Sequence, residues 1–175
     1  MPAEGDDFWV FGYGSLMWRP GFAFVERQLA TVRGYHRALC VYSHVHRGTP
    51  DRPGLVLGLD RGGACRGVAF HVAGEKWAET IAYLRGREQV TLVYREARVP
   101  VLLIDGRRVS ALTFVVDRAH AQYAGRLEGP MLLQHVRQGV GRSGSNPDYI
   151  RATHDHLVEL GLRDRTLAWL AAHLD

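Results

Sequence analysis

Phe8-Trp9-Val10-Phe11 runs without interruption into Gly12-Tyr13-Gly14-Ser15-Leu16, and this junction constrains the fold more than any other stretch of the chain. An apolar run bounded by glycines reads as a buried strand that ends in a loop. Gly12 and Gly14 free the backbone from steric cover and permit positive φ and close ligand approach. Successive amides at the strand's end can then converge on an anion or a developing oxyanion. Local chemistry alone favours a structural turn over such a cradle, so the rest of the chain has to decide between them.

The 175 residues are enough for one domain with a real core, residues 1–175, and 46% hydrophobic with 23% charged residues is ordinary globular composition. The net charge of +4 comes from arginine, since Lys76 is the only lysine. Those arginines are dispersed among carboxylates, with Arg107-Arg108 the densest cluster, so there is neither a basic stripe nor a nucleic-acid module. A small anionic substrate is compatible with this charge. No apolar run is long enough to span a bilayer, and the acidic Met1–Asp7 segment resembles no leader, so a cytoplasmic chain without membrane attachment is expected. Cys40 and Cys65 lie in strand-like apolar settings and read as buried thiols rather than a disulfide.

Further along, Leu29–Ser43 reads as a long strand, and His44–Gly54 as an irregular loop with two prolines. Leu55–Leu59 and Arg66–Val72 bracket Asp60-Arg61-Gly62-Gly63, which reads as a hairpin turn. Trp77, Ile81, Leu84 and Glu88 follow helical spacing, predicting a helix over 75–87. Strand patterns return over 90–104 and 109–116, joined at Asp105-Gly106. Helices are predicted over 129–140, from a cap at Asn146-Pro147-Asp148 to Gly161, and from Asp164 onward. The expected class is α+β: a small mixed β-barrel with flanking helices and a helical C-terminal third.

Several chemical readings fail on context. Gly139-Val140-Gly141-Arg142-Ser143-Gly144 matches G-x-G-x-x-G but follows a predicted helix instead of a strand. Ser15 lacks the downstream glycine of a nucleophile elbow. His44 with His46, and His154 with His156, lack a third ligand at metal-like spacing, so no metal is expected. Glu88 closes Tyr83-Leu84-Arg85-Gly86-Arg87-Glu88, where a helix meets the next strand. Partial desolvation there would raise its pKa towards the range useful for proton transfer. The alternative is an ordinary ion pair with Arg85 or Arg87, which local chemistry favours.

Five motifs taken together resemble the ChaC-type γ-glutamylcyclotransferases. They are Val10–Trp18, His46-Arg47-Gly48-Thr49-Pro50, Cys65–Phe70, Tyr83–Glu88 and Gly141–Tyr149, in the expected order over nearly the whole chain. The resemblance implies the γ-glutamylcyclotransferase-like fold. It also implies cleavage of glutathione into 5-oxoproline and Cys-Gly without a cofactor or an obligate protein partner. Glu88 matches the family's catalytic glutamate. Tyr13, Gly14, Ser15 and Leu16 match its substrate-cradling loop, and Tyr149 the tyrosine after the Gly-rich segment. Arg47 is a candidate for a substrate carboxylate, with loop structuring as its alternative. Two departures stand out: Gln89-Val90-Thr91 replaces a Gly-Gly-Tyr-like turn, and Ser143–Asn146 varies the glycine-rich segment. Two further readings are a cyclotransferase for other γ-glutamyl amines or dipeptides and a non-catalytic regulatory protein of the same fold.

Overall fold

A computed structural model of the chain describes residues 3–89 and 92–174. The opening run forms β1 (Phe8–Gly12), followed by a 3-10 turn over Ser15–Met17. Next come β2 (Glu26–Ser43), β3 (Gly54–Val72) and α1 (Trp77–Glu88), the helix preceded by a 3-10 turn over Gly74–Lys76. The strands β4 (Tyr94–Leu103) and β5 (Arg108–Val116) follow. Helix α2 (Gly129–Gln138), a two-residue ribbon of β6 (Val140–Gly141) and β7 (Gly144–Ser145), α3 (Asn146–Glu159) and α4 (Arg165–His173) complete the chain. Five strands close a barrel in the order β1-β3-β2-β4-β5. The β1–β5 seam is parallel, pairing Trp9 with Ala111 and Val10 with Leu112, whereas β1–β3 and β4–β5 are antiparallel. The mixed barrel with flanking helices expected from the sequence is the architecture observed.

The chain divides into two compact units, residues 1–37 with 59–117 and residues 38–58 with 118–175. In the first, β1, the turn after it and α1 share one apolar cluster: Phe8, Val10, Leu16, Val72, Ile81, Leu84, Leu112 and Phe114. Burying a side chain such as Leu16 or Leu84 stabilises by about 1.5–3 kcal/mol, so turn and helix are anchored in the same core. In the second unit, Ile150 and Leu157 of α3 and Leu167 and Leu170 of α4 are buried.

Two local expectations are corrected. Asp60-Arg61-Gly62-Gly63 is not a hairpin turn, because β3 runs through it without a break. Gly62 and Gly63 do adopt positive φ, +101° and +70°, but they irregularise a continuing strand and do not reverse it. There the His36 Nδ1 lies 2.9 Å from the Gly62 carbonyl oxygen, a hydrogen bond that ties β3 to β2. The cap of α3 is also Ser145 instead of Asn146: its Oγ accepts from the Asp148 N–H. Asn146 is turned inward, where its Oδ1 accepts from Leu55 N–H and its Nδ2 donates to Leu55 O. Asp164 caps α4 as expected, accepting from Leu167 N–H. The strand expected to start at Val90 begins at Tyr94, and the Val90-Thr91 part of the family departure lies outside the described residues.

The end of β1 is held by close backbone approach. A Cβ at Gly67 of β3 would stand 2.3 Å from the Gly12 carbonyl oxygen and 2.8 Å from Phe11 Cζ. The carbonyl belongs to the strand and cannot step aside alone. Gly67→Ala is therefore expected to cost about 1–3 kcal/mol by overpacking. A melting curve superimposed on that of the wild type would refute this.

Candidate active site

The first unit brings Tyr13, Gly14, Ser15, Leu16 and Glu88 into one connected arrangement. Neither Gly12 nor Gly14 is among the positive-φ glycines. What Gly12 supplies is room, since a Cβ there would lie 3.0 Å from Leu16 Cβ and 3.4 Å from Met17 N. Leu16 and Tyr13 are buried, so the Leu16 side chain serves packing and only its backbone is left for a ligand. Within the turn, the Met17 N–H bonds Gly14 O at 2.9 Å and the Arg19 N–H bonds Ser15 O at 2.8 Å. The N–H groups of Gly14, Ser15 and Leu16 have no partner among the described residues. That is the state of a helix amino terminus whose leading donors are unspent.

Arginines fix this turn from two sides. Arg37 of β2 donates through Nε to Tyr13 O at 2.6 Å and through Nη2 to Arg66 O at 2.6 Å. In a planar trans peptide the carbonyl and the following N–H point in opposite directions. Holding Tyr13 O therefore aims the Gly14 N–H away from Arg37. From α1, Arg87 donates through Nη2 to Ser15 Oγ and through Nη1 to Arg19 O at 2.9 Å. Its Nε lies 3.4 Å from Glu88 Oε1.

Glu88 is the last residue of α1, with its side chain only 17% exposed. Burial pushes its carboxyl above the usual 4.5, and the neighbouring Arg87 charge pulls the other way without prevailing. The C-terminal end of a helix adds unfavourable potential for an anion. Of the two expected ion-pair partners, Arg85 is committed to Glu96 of β4, at 2.6 Å. The pair is thus Arg87–Glu88, and it coexists with a raised pKa instead of replacing it. A carboxyl in this state can both take and return a proton near neutral pH.

In the second unit, Arg47 and Tyr149 lie together. The Arg47 guanidinium stands 5.4 Å over the Tyr149 ring, and its Nη1 donates to Ser145 O at 3.1 Å. The Tyr149 hydroxyl accepts from Leu57 N–H at 3.1 Å. These bonds give both residues a structural task, tying β3 to the start of α3. The residues that sequence reasoning missed are Arg37, which no motif singled out, and Arg87, weighed only as a bland partner of Glu88. The signal for Arg87 was present in its position beside the glutamate. Cys40 and Cys65 are buried and not joined in a disulfide. Among the described residues, no helix is long and apolar enough to cross a membrane, and no cluster of three or more His, Cys, Asp or Glu could hold a metal ion.

The fold is that of γ-glutamyl cyclotransferases. A crystal structure of a yeast γ-glutamyl cyclotransferase specific to glutathione aligns with a TM-score of 0.83, covering 97% of this chain and 94% of that one at 22% identity. The family model described as ChaC-like protein matches residues 8–175, and the chain belongs to that family. It is 35% identical over 163 residues to the glutathione-specific gamma-glutamylcyclotransferase of Escherichia coli (strain K12), covering 93% of this chain and 70% of that protein. It is 33% identical over 164 residues to the Homo sapiens glutathione-specific gamma-glutamylcyclotransferase 1, covering 90% and 74%.

Proposed function

We propose that this chain is a lyase that cleaves glutathione to 5-oxoproline and Cys-Gly, as the names of its relatives suggest. The observation that carries the reading is a buried Glu88 with a raised pKa, linked through Arg87 to a turn whose leading amides are unspent. The α-amine of the γ-glutamyl group attacks its own γ-carbonyl carbon and closes a five-membered lactam. The C–N bond to the cysteinyl nitrogen then breaks, and that nitrogen leaves as an amine. Glu88 takes a proton from the substrate ammonium, which is largely charged at neutral pH, and passes it to the leaving nitrogen. Gly14, Ser15 and Leu16 offer backbone N–H groups to the γ-carbonyl oxygen as it gains charge, where one well-placed donor is worth about 10²–10³ in rate.

The nucleophile is within the substrate, so Ser15 has no covalent task, and the redox-neutral chemistry asks for no cofactor. Tyr13 supports the turn through its carbonyl. Arg47 and Tyr149 are assigned to the non-reacting part of the substrate, an assignment supported by their motif positions. We treat residues 1–175 as one functional domain, since β2 and β3 each run through both units. A cytoplasmic setting agrees with two buried thiols that form no disulfide.

The test is 5-oxoproline release from glutathione alongside γ-glutamyl-alanine under matched conditions. Glutathione turnover with little from the dipeptide is expected. Equal rates would make it a general γ-glutamyl cyclotransferase, and no product from either would overturn the reading in favour of a regulatory protein.

A further inference from the structure

A guanidinium carries five N–H donors in a rigid fork, and almost every one of those on Arg87 is committed. Its Nη2 bonds Ser15 Oγ, its Nη1 bonds Arg19 O at 2.9 Å and Tyr83 OH at 3.0 Å, and its Nε faces Glu88 Oε1 at 3.4 Å. Ser15 opens the 3-10 turn and Arg19 lies just past its end, so a single side chain grips both ends of the turn. Tyr83 lies one helical turn before Arg87, so the fork is also tied back to α1. The other arginine at the end of α1, Arg85, is held by Glu96, which leaves Arg87 as the cation of that helix paired with Glu88. An open recess of about 460 Å³, lined by Ser15, Arg19, Tyr83, Gly86 and Arg87, brings solvent up to this clamp.

We propose that Arg87 is a positioning residue that couples Glu88 to the Ser15–Met17 turn, so that the proton carrier and the amide donors keep one geometry through the reaction. The proposal rests on the glutathione-cleaving reading for its kinetic consequences, but not for its geometric ones. Ring closure needs the base beside the amine while the oxyanion forms beside the amides, and a misplacement of about 1 Å between such groups can cost on the order of 10²-fold. Packing of Leu16 and Leu84 in the shared core sets the two elements roughly in place. The fork fixes the remaining freedom, at the exposed side of that core where Ser15 and Arg19 lie. Ser15 thereby has a task its hydroxyl alone explains: it is the acceptor by which the turn is held, its own O–H remaining able to donate elsewhere. A lysine in place of Arg87 keeps the charge but cannot reach several acceptors at once.

The experiment compares wild type with Arg87→Met, Arg87→Lys and Ser15→Ala, following kcat, KM and the acid limb of kcat against pH with glutathione. Arg87→Met is expected to lower kcat about 30- to 100-fold with KM changed less than about threefold. It should also move the acid limb to higher pH, because the cation that favours ionised Glu88 is gone. Arg87→Lys should lose about tenfold in kcat and keep the limb, since charge remains and the fork does not. Ser15→Ala should lose about three- to tenfold with an unmoved limb. A purely structural arginine would lower the melting temperature while leaving the kcat of the folded fraction and its acid limb as in wild type, and that result overturns the proposal.

Substrate-free titration of the glutamate δ-carbons by 13C NMR separates the two readings, with Glu88→Gln identifying the resonance. Arg87→Met must raise the Glu88 midpoint, and an unmoved midpoint overturns the coupling. A wild-type protein that titrates as expected but releases no 5-oxoproline sinks the functional reading and leaves the clamp standing.

Discussion

Glu88→Gln is expected to lose about 10²- to 10⁴-fold in kcat for 5-oxoproline release, the range general acid–base catalysis contributes, and to melt at a higher temperature than wild type near neutral pH. The amide keeps the shape of the side chain but can neither accept the ammonium proton nor return it to the leaving nitrogen. The stability gain follows from the direction of the pKa shift. Glu88 is raised above its usual value because folding buries it. A group raised in the folded state contributes stability that is complete below the unfolded pKa and is lost as pH rises through the folded one. At neutral pH the wild type therefore carries a cost for holding an anion in a poorly solvated place, a cost the neutral amide removes. Each kcal/mol regained corresponds to about 2–4 °C in a chain of this size. The advantage of the variant should shrink below about pH 4.5, where glutamate is protonated in both states. The wild-type rate should rise with pH through an acid limb above the ordinary glutamate value. Turnover within twofold of wild type would remove Glu88 from the mechanism, and a lower melting temperature at neutral pH would mean that the Arg87 attraction outweighs burial.

Asn146→Ala should be the most damaging single truncation in the second unit. Asn146 is 0% exposed and exchanges two hydrogen bonds with the backbone of Leu55, at 2.8 and 2.9 Å. Its own N–H bonds Gly139 O at 2.8 Å. Truncation leaves the N–H and C=O of the fully buried Leu55 without partners, each at about 1–3 kcal/mol. Little space exists for a replacement water: a Cβ at Gly54 would stand 2.8 Å from Asn146 Oδ1, and one at Gly139 would stand 2.9 Å from Asn146 Cβ. The sum predicts a loss of about 2–5 kcal/mol, and a melting temperature lower by roughly 5–15 °C. Asn146→Asp should fare no better, since it retains the acceptor, loses the donor and introduces a buried charge. A melting temperature within about 2 °C of wild type for Asn146→Ala would show that the site relaxes after all.

Elements with a clean period were legible from the residues. The Phe8–Phe11 run gave a strand, and Trp77, Ile81 and Leu84 gave a helix, because each pattern reflects one face meeting one core. The hairpin at Asp60–Gly63 was misplaced because a glycine pair that permits a turn also permits an irregular strand, and only barrel closure decides between them. The cap of α3 was assigned one residue late for a similar reason. Ser145 and Asn146 are both good caps in isolation, and the long-range bond to Leu55 diverts Asn146. At the candidate site, Glu88 stood out through its neighbours in sequence. The grip of Arg87 on Ser15 and Arg19 spans 72 and 68 residues of chain, and Arg37 reaches Tyr13 across 24. No local pattern reports such distances.

The parallel seam between β1 and β5 carries a consequence for how the molecule is made. Trp9 finds its partner only when Ala111 exists, so the first strand to be synthesised waits for the last strand of the barrel. Until then the turn that follows β1, and with it the amides assigned to the oxyanion, has no fixed edge on one side. Contacts of such sequence separation are slow to form, because loop-closure entropy is lost before they reward it. The second unit has the same character, since its 38–58 segment is complete long before residues 118–175. A nascent or clipped chain is thus inert by topology, and catalytic competence arrives late and all at once.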